Sequence, residues 1–342
     1  MFAHRDSASP SLNLALQGGG AHGAFTWGVL DALLEDGRFR FDGISGTSAG
    51  AMNAVALANG WVQGGAEGAR ECLAKFWEGV ALMSSPDLLP PVLDSSLMTP
   101  GTAWMMQLTR WFSPYQLNPM DLNPLRDLVV ELFDFERLQR ESPFELFVAA
   151  THANSGHLKL FRNADLSADA LLASACLPSV HHAIIINGEP YWDGAYAANP
   201  AVFPLFRFCD SRDVLIVMLA PLLHERTPRG AEEIQQRTLE LGFNNSFLRE
   251  MRLLAAMRDM AEESGWLSGS LEQRLRSERF HLIEGEAALG SLAATSKIVA
   301  NQAFLHRLRD AGRVNAKRWL VVHGPAVGHR PSVDIHKLFL PQ

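Results

Sequence analysis

The sequence has few cysteines, and none of them stands in a pattern typical of a structural crosslink or a metal site. Cys72, Cys176 and Cys209 are the only three in 342 residues, and they are too scattered for a disulfide framework. No two of them form a CxxC pair, which argues against a zinc site built on cysteine. The content of hydrophobic residues, 47%, is ordinary for a globular protein and is enough for a sizeable core.

The chain also lacks the features of secreted, membrane-spanning and nucleic-acid-binding proteins. Residues 1–10 contain no apolar stretch of the length that a secretory signal needs. The longest apolar run, 214–223, has 10 residues and includes Pro221, so it is too short for a membrane-spanning helix. The net charge of −7 argues against nucleic acid as the main partner. We therefore expect a cytoplasmic protein, for which peripheral contact with a membrane stays open because such contact can be mainly apolar.

The order of predicted elements indicates an α/β fold. Strands are predicted at Leu12–Gln17, Phe41–Ser45, Phe144–Ala150, Leu158–Phe161, Ala183–Ile186, Asp213–Leu219, Phe280–Ile283 and Trp319–Val322. Helices are predicted at Ala24–Glu35, Ala51–Asn59, Asp169–Cys176, Ala231–Glu263 and Thr295–Asp310, and Asp36-Gly37 should end the first of them. Strands that alternate with helices in this way predict a parallel sheet covered by helices.

We expect one domain over residues 1–342, with a motif-bearing core at about 12–220 and a C-terminal extension of helices and strands at about 221–342. Residues 82–123 are rich in proline and tryptophan and resemble an insertion lying over the sheet. Within it, 102–112 places apolar side chains on one helical face: Trp104, Met105, Leu108, Trp111 and Phe112. This face is interpreted either as a lid that contacts membrane or lines an acyl pocket, or as packing against the domain itself.

A glycine-rich loop follows the first predicted strand. Gly18-Gly19-Gly20-Ala21-His22-Gly23 fits the dinucleotide fingerprint GxGxxG, but the nearest acid, Asp42, comes at the start of the second strand, whereas the ribose-binding acid should lie near its end. A nucleotide phosphate loop is also disfavoured, because Ala24-Phe25 stands where Lys-Ser/Thr is needed. Successive glycines let backbone N–H groups turn toward one point. The sequence therefore favours an oxyanion hole formed by the N–H groups of Gly18, Gly19 and Gly20.

The second predicted strand runs into a GxSxG turn, Gly46-Thr47-Ser48-Ala49-Gly50. In such a turn the serine is strained and projects its hydroxyl above the sheet, which is why glycines flank it. The following helix directs its N-terminus at the reacting centre, so the Ala49 N–H can join the oxyanion donors. Ser48 is therefore the candidate nucleophile.

A nucleophilic serine needs a base, and histidine is the usual one. In an α/β-hydrolase the order would be serine, acid, histidine, which leaves His281, His306 and His323 as candidates. However, those enzymes place the serine turn deep in a longer sheet, whereas here it follows the second strand.

Three motifs in this order resemble the patatin-like phospholipases, a family related to the catalytic domain of calcium-activated cytosolic phospholipases. The motifs are the glycine loop Gly18–Gly23, the serine turn Gly46–Gly50, and Asp193-Gly194-Ala195, which corresponds to the family's Asp-Gly-Gly/Ala. Residues 173–178 and Asn199-Pro200 are also similar to the family, and the resemblance covers about residues 12 to 220. It implies a three-layer α/β fold, with a mostly parallel central sheet covered by helices and a lid-like insertion.

The resemblance further implies a Ser-Asp dyad that cleaves carboxylic esters of phospholipids or lysophospholipids, with no cofactor and no metal. Ser48 would attack the ester while Asp193 takes its proton, and Asp193 would have a raised pKa beside its apolar neighbours. A non-catalytic lipid-binding or interaction protein, a thioesterase and an acyltransferase are the alternatives. The sequence departs from the family at His22, where Arg or Lys is usual. A neutral histidine would weaken any hold on an anionic headgroup.

Overall fold

A computed structural model describes residues 9–83, 112–224, 226–263 and 269–340, apart from 291, 293–295 and 298. The strands are β1 (Ser11–Leu16), β2 (Arg40–Thr47), β3 (Glu145–His152), β4 (Leu158–Arg162), β5 (Ile184–Ile186), β6 (Glu189–Asp193), β7 (Asp213–Met218) and β8 (Arg279–Glu284). The helices are α1 (Gly23–Asp36), α2 (Ala49–Met83), α3 (Pro114–Leu117), α4 (Pro124–Leu132), α5 (Phe135–Glu141), α6 (Ala168–Ser174), α7 (Phe203–Phe208), α8 (Ala231–Glu263), α9 (Ser270–Ser277), α10 (Glu286–Leu289), α11 (Gln302–Val322) and α12 (Ile335–Phe339).

One sheet holds these eight strands together, in the order β5-β6-β3-β2-β1-β7-β8, with β4 paired to β3. The five central strands β3, β2, β1, β7 and β8 are parallel. The remaining three pair antiparallel, β4 and β6 with β3, and β5 with β6. The predicted α/β class with a mostly parallel central sheet is therefore confirmed.

Helices cover both faces of the sheet, which makes the fold three-layered. Leu14 and Leu16 of β1 pack into a core with helices α1, α2 and α11. Ala15, between them, faces the other side, in a core that includes Phe247 and Met251 of α8. Because both faces are buried, β7 is apolar throughout after its first residue, as is typical of parallel strands inside an α/β protein.

Most predicted elements agree with the structure to within a few residues. Asp36-Gly37 ends α1 as expected, with Gly37 in the left-handed conformation (φ 69°) and its N–H bonded to the Leu33 carbonyl. The long helix predicted at Ala231–Glu263 is α8. Strand β6 and helices α3, α4, α5, α7, α9, α10 and α12 were not predicted, and α2 runs on to Met83 with a break at Gly64 and Gly65.

In the C-terminal extension one predicted strand is wrong, and one predicted helix overlaps the observed helix but is displaced from it. Trp319–Val322, predicted as a strand, is the last turn of α11. The helix predicted to begin at Thr295 begins at Gln302, where the Asn301 side chain caps it by accepting a hydrogen bond from the Phe304 N–H. A four-residue apolar run is too short to distinguish a strand from a buried helical turn.

The predicted insertion lies mostly outside the described residues. The helical face proposed for 102–112 falls there except for Phe112, which is exposed. The described end, 112–123, contains α3 and packs against residues 182–183 through a ring stack of Tyr115 on His182, whose centroids are 4.0 Å apart. None of the helices in the described parts of the chain is long and apolar enough to cross a lipid bilayer.

Candidate active site

Ser48 occupies a tight turn between β2 and α2. Its φ is 54°, in the left-handed region that non-glycine residues rarely adopt. The turn is packed so closely that glycine is required on both sides. A Cβ on Gly46 would lie 2.5 Å from the Gly50 carbonyl oxygen, and a Cβ on Gly50 would lie 2.1 Å from the Leu16 carbonyl oxygen. The strained serine turn expected from the GxSxG pattern is therefore present.

Sheet register brings Asp193 to the same place. Along β3, residues up to Ala149 pair with β2, whose last residue Thr47 is opposite Ala149. From Ala150 onward the same edge of β3 pairs with β6, because β4 occupies the other edge. Asp193 is paired with Ala150, the residue of β3 that comes next after the partner of Thr47. It therefore lies beside the point where β2 ends and the serine turn begins.

The Asp193 carboxyl group is buried and belongs to the same hydrogen-bonded unit as the serine. Burial raises its pKa to about 7, while hydrogen bonds from the Ala195 N–H and the Ser48 side chain act in the opposite direction. Its main chain is fixed at both ends. The Asp193 N–H donates to the Cys176 carbonyl at 2.7 Å, and the Asp193 carbonyl accepts from the Thr151 hydroxyl at 2.8 Å.

The glycine loop lies directly against the serine turn. A Cβ on Gly18 would be 2.8 Å from the Ser48 Cβ, and one on Gly23 would be 2.6 Å from the Ala49 Cβ. Ala49 is the first residue of α2, so its N–H has no acceptor within the helix. The Gly18 N–H, in contrast, donates to the Asn199 side-chain oxygen at 2.7 Å. That bond narrows the candidate oxyanion donors to Gly19, Gly20 and Ala49.

Several residues that hold the site were not singled out from the sequence. The Ser48 N–H donates to the hydroxyl of the buried Ser174, at 2.9 Å. The Gln17 side chain accepts from the N–H groups of Leu219 and Ala220 and donates to Asn244, which fixes the residue before the glycine loop. These bonds join residues that are 126 to 227 positions apart in the sequence. A local sequence pattern therefore does not predict them.

His22, the departure from the family pattern, is buried beside the loop. Burial, helped by the nearby Lys297, lowers its pKa to about 4. Its Nε2 lies 2.7 Å from the Ser296 Oγ. The imidazole is therefore neutral at ordinary pH and packs at the start of α1, so it supplies no positive charge to the loop.

The three histidines considered as bases lie elsewhere. His281 is buried on β8, with Nε2 2.9 Å from the Asp213 carboxylate and Nδ1 3.0 Å from the Ser332 Oγ. Asp213 begins β7, whereas Ser48 follows the last residue of β2. Because these strands are parallel, the Asp213 cluster and Ser48 lie at opposite ends of the strands. His306 contacts Trp27, and His323 ends α11.

The Asp213 cluster has the composition of a Ser-His-Asp triad but the bonding of a structural network. Burial would raise the pKa of Asp213, yet hydrogen bonds from His281 and Arg279 lower it to about 2. The backbone N–H groups of Gly328 and Ser332 already donate to Asp213 and to the Phe280 carbonyl. Across the described residues, no group of three or more His, Cys, Asp and Glu side chains is placed to hold a metal ion.

Two comparisons with known proteins find proteins similar to this chain. The family model of the patatin-like phospholipases matches residues 14–206, which include the glycine loop, the serine turn and Asp193. Among solved structures, the chain is similar to VipD from Legionella pneumophila, with 15% sequence identity and a TM-score of 0.43. The similarity covers 92% of this chain and 67% of the VipD chain. The search of curated proteins gives no match.

Proposed function

The chain belongs to the patatin-like phospholipase family, and from that premise we propose that it hydrolyses carboxylic esters of phospholipids or lysophospholipids on Ser48, with Asp193 as base. The family supports lipid acyl hydrolysis in general. The observation that carries the finer proposal is the contact between a strained serine and a buried carboxyl group with a pKa of about 7. A carboxylate with that pKa is well matched to proton transfer near neutral pH.

In the proposed reaction, the Ser48 Oγ bonds to the ester carbonyl carbon as its proton passes to Asp193. The negative charge on the carbonyl oxygen is stabilised by the N–H groups of Gly19, Gly20 and Ala49, each contributing about 3 kcal/mol in such a site. The ester C–O bond then breaks, and the alcohol leaves with the proton held by Asp193.

Hydrolysis of the acyl-enzyme uses the same groups in the reverse order. A water molecule gives a proton to Asp193 as its oxygen attacks the acyl carbon. Ser48 regains its proton from Asp193 when the fatty acid leaves. Apart from the ester and water, the two half-reactions need no further reactant. Ser48 and Asp193 together account for every bond and proton transferred.

The proposal is tested with purified protein on phospholipids, lysophospholipids, triglycerides and acyl thioesters. Ser48→Ala and Asp193→Asn should each lower kcat by at least about a thousandfold, since both belong to one catalytic unit. Ser45→Ala is the matched control, because its Oγ, buried on the strand that leads to Ser48, has no hydrogen-bond partner among the described residues. His306→Ala and His323→Ala should also retain activity.

The outcomes separate the alternatives. A fluorophosphonate probe should label wild-type protein at Ser48 and leave Ser48→Ala unlabelled. Turnover restricted to thioesters, or transfer of the acyl group to an added alcohol in preference to water, would replace the phospholipase assignment. A folded wild-type protein that neither reacts with the probe nor turns over any of the four substrates would support the non-catalytic lipid-binding alternative.

Peripheral contact with lipid is part of the same proposal, through the described end of the insertion. Met120 and Leu122 are 79% and 66% exposed there. Their segment packs on residues 182–183, and the His182 carbonyl in turn accepts from Cys176 next to the site. Met120→Ser with Leu122→Ser should reduce binding to phosphatidylcholine vesicles. Val321→Ser with Val322→Ser, similarly exposed at the end of α11, is the control. Equal loss of vesicle binding in both double variants would contradict a lipid contact through Met120 and Leu122.

A further inference from the structure

Asn199 is a buried residue that joins three parts of the candidate site. It lies six positions after Asp193 and is only 3% exposed. Its Oδ1 accepts the Gly18 N–H at 2.7 Å, and the carbonyl of its neighbour Ala198 accepts the Thr47 hydroxyl at 2.8 Å. One short segment therefore connects the chain that carries Asp193 with both the glycine loop and the serine turn.

The orientation of the Asn199 side chain is fixed by chemistry. An N–H group can only donate, so the atom facing Gly18 must be the carboxamide oxygen. This bond is the polar contact that holds the first glycine of the loop. A Cβ on Gly18 would be 3.2 Å from that oxygen and 2.8 Å from the Ser48 Cβ. The distance from the loop to the nucleophile thus depends on where Asn199 holds the Gly18 backbone.

The segment that follows Asn199 is held by α8. The half-buried Glu250 carboxyl accepts hydrogen bonds from the N–H groups of Val202 and Phe203, at the start of α7. The segment between Asp193 and α7 is therefore fixed at both ends, by β6 and by α8. A side chain on such a rigid segment can set the position of the neighbouring loop.

From these contacts we infer that Asn199 is a positioning residue for catalysis, which sets the glycine loop at the distance from Ser48 at which its N–H groups meet the developing oxyanion. The inference rests on the proposed function. Asn199 acts through the Gly18 backbone, whose N–H its side chain accepts. Its loss should therefore weaken stabilisation of the transition state while leaving ground-state binding of lipid unchanged.

The test compares Asn199→Ala with Asn13→Ala in the full chain. Asn13 is a matched control, since it is also buried and its Oδ1 also accepts a glycine N–H. That N–H belongs to Gly43 of β2, 2.9 Å away. Asn199→Ala should lower kcat about a hundredfold, with KM within about threefold of wild type. The inhibition constant of a trifluoromethyl ketone, which forms an oxyanion adduct on serine, should rise by a similar factor. A non-hydrolysable ether lipid should bind as tightly as before.

A second variant keeps the inference testable if Asn199→Ala does not fold. Asn199→Asp retains the acceptor oxygen, so kcat should recover at least partly. The added carboxylate near Asp193 should move the rise of kcat/KM to higher pH.

Wild-type kcat in Asn199→Ala, equal losses of kcat in Asn13→Ala, or an Asn199→Asp variant no better than Asn199→Ala would each overturn the inference. None of these outcomes touches the proposed function, which is tested separately by the substrates that wild-type protein hydrolyses and by the activity of Ser48→Ala and Asp193→Asn.

Discussion

Asp193 and His22 are both buried beside the serine turn, and burial moves their pKa values in opposite directions. Removal from water disfavours the charged form of either group. The pKa of Asp193 therefore rises to about 7, and that of His22 falls to about 4. Near neutral pH the histidine is uncharged and the aspartate exchanges its proton readily. Asp193 is thus suited to act as a base, and His22 is not.

The pH dependence of activity should follow the ionisation of Asp193. Only the carboxylate can accept the Ser48 proton, so kcat/KM should rise about tenfold per pH unit below about 7 and level off above it. Rates measured from pH 5 to 9 on a neutral ester test this. Glu278→Gln is the control, because burial also raises the pKa of that carboxyl to about 7, far from the site. A rate that falls above pH 7, or a midpoint that moves in Glu278→Gln, would contradict the assignment.

Asp193→Asn should also stabilise the fold at high pH. The folded pKa of about 7 lies above the ordinary value of 3.8, so the stability gained from binding a proton is fully present below pH 3.8 and is lost as pH rises through 7. Each unit of that interval corresponds to ~1.4 kcal/mol. The amide carries no charge and escapes this loss.

Urea unfolding of both proteins at pH 4 and pH 8 measures the difference. The advantage of Asp193→Asn should be present at pH 8 and small at pH 4. A variant less stable than wild type at pH 8 would show that the buried carboxylate is well compensated in the fold.

The sequence identified the residues proposed to react but not those that hold them. Ser48 and Asp193 stand in short motifs whose spacing follows from local turn geometry. The roles of Ser174 and Asn199 depend on hydrogen bonds to residues 126 and 181 positions away. Such bonds are set by the register and order of strands, which a single sequence does not specify. For the same reason the engagement of the Gly18 N–H by Asn199 could not be predicted.

At the scale of elements, α1 and α11 cross at unusually close range. A Cβ on Gly28 would lie 1.8 Å from the Arg309 carbonyl oxygen, and one on Gly312 would lie 2.0 Å from the Phe25 carbonyl oxygen. Glycine at both points lets the two backbones meet. Since α1 begins at the end of the glycine loop, α11 supports the site through this crossing.

Gly312→Ala should therefore destabilise the protein by roughly 1–3 kcal/mol, the usual cost of forcing extra volume into a packed contact. Gly242→Ala is the matched control, because a Cβ there meets nothing within 4 Å and the residue lies in the exposed part of α8. That change should be neutral or stabilise by up to ~1 kcal/mol. Thermal unfolding of both variants measures the contrast. If Gly312→Ala melts no lower than Gly242→Ala, the close crossing is not needed for stability.

The same helix explains why Trp319–Val322 was misjudged as a strand. Phe304, Leu308, Ala316 and Trp319 are buried on one face of α11, at spacings that fit a helix of 21 residues. Four apolar residues at its end carry no period of their own. The bounds of the elements in the C-terminal extension are hard to predict in general, because their buried faces are set by contacts with residues that lie far away in the chain.

At the scale of the whole molecule, the extension completes the layers begun by the motif-bearing core. Strand β8 pairs with β7 over all six residues, and α11 covers α1. Asn244 of α8 bonds to Gln17, the residue before the glycine loop. The match to the family model ends at residue 206, yet these contacts tie later residues to the site. We therefore propose that 1–342 folds as a single domain and not as a core with an independent appendage.

A single domain should unfold in one cooperative step. Tryptophans report from both parts, with Trp27 and Trp77 in the core and Trp319 in the extension. Their fluorescence, far-UV circular dichroism and ester hydrolysis should therefore lose signal at the same urea concentration. A chain cut after residue 220 should fail to fold, because it would expose the apolar edge of β7 and the face of α1 that α11 covers. Trp266→Phe with Trp319→Phe separates the probes, since it removes both tryptophans of the extension and leaves only the core to report. Two resolved transitions, or a soluble and cooperatively folded 1–220 fragment, would show that the extension is a separate unit.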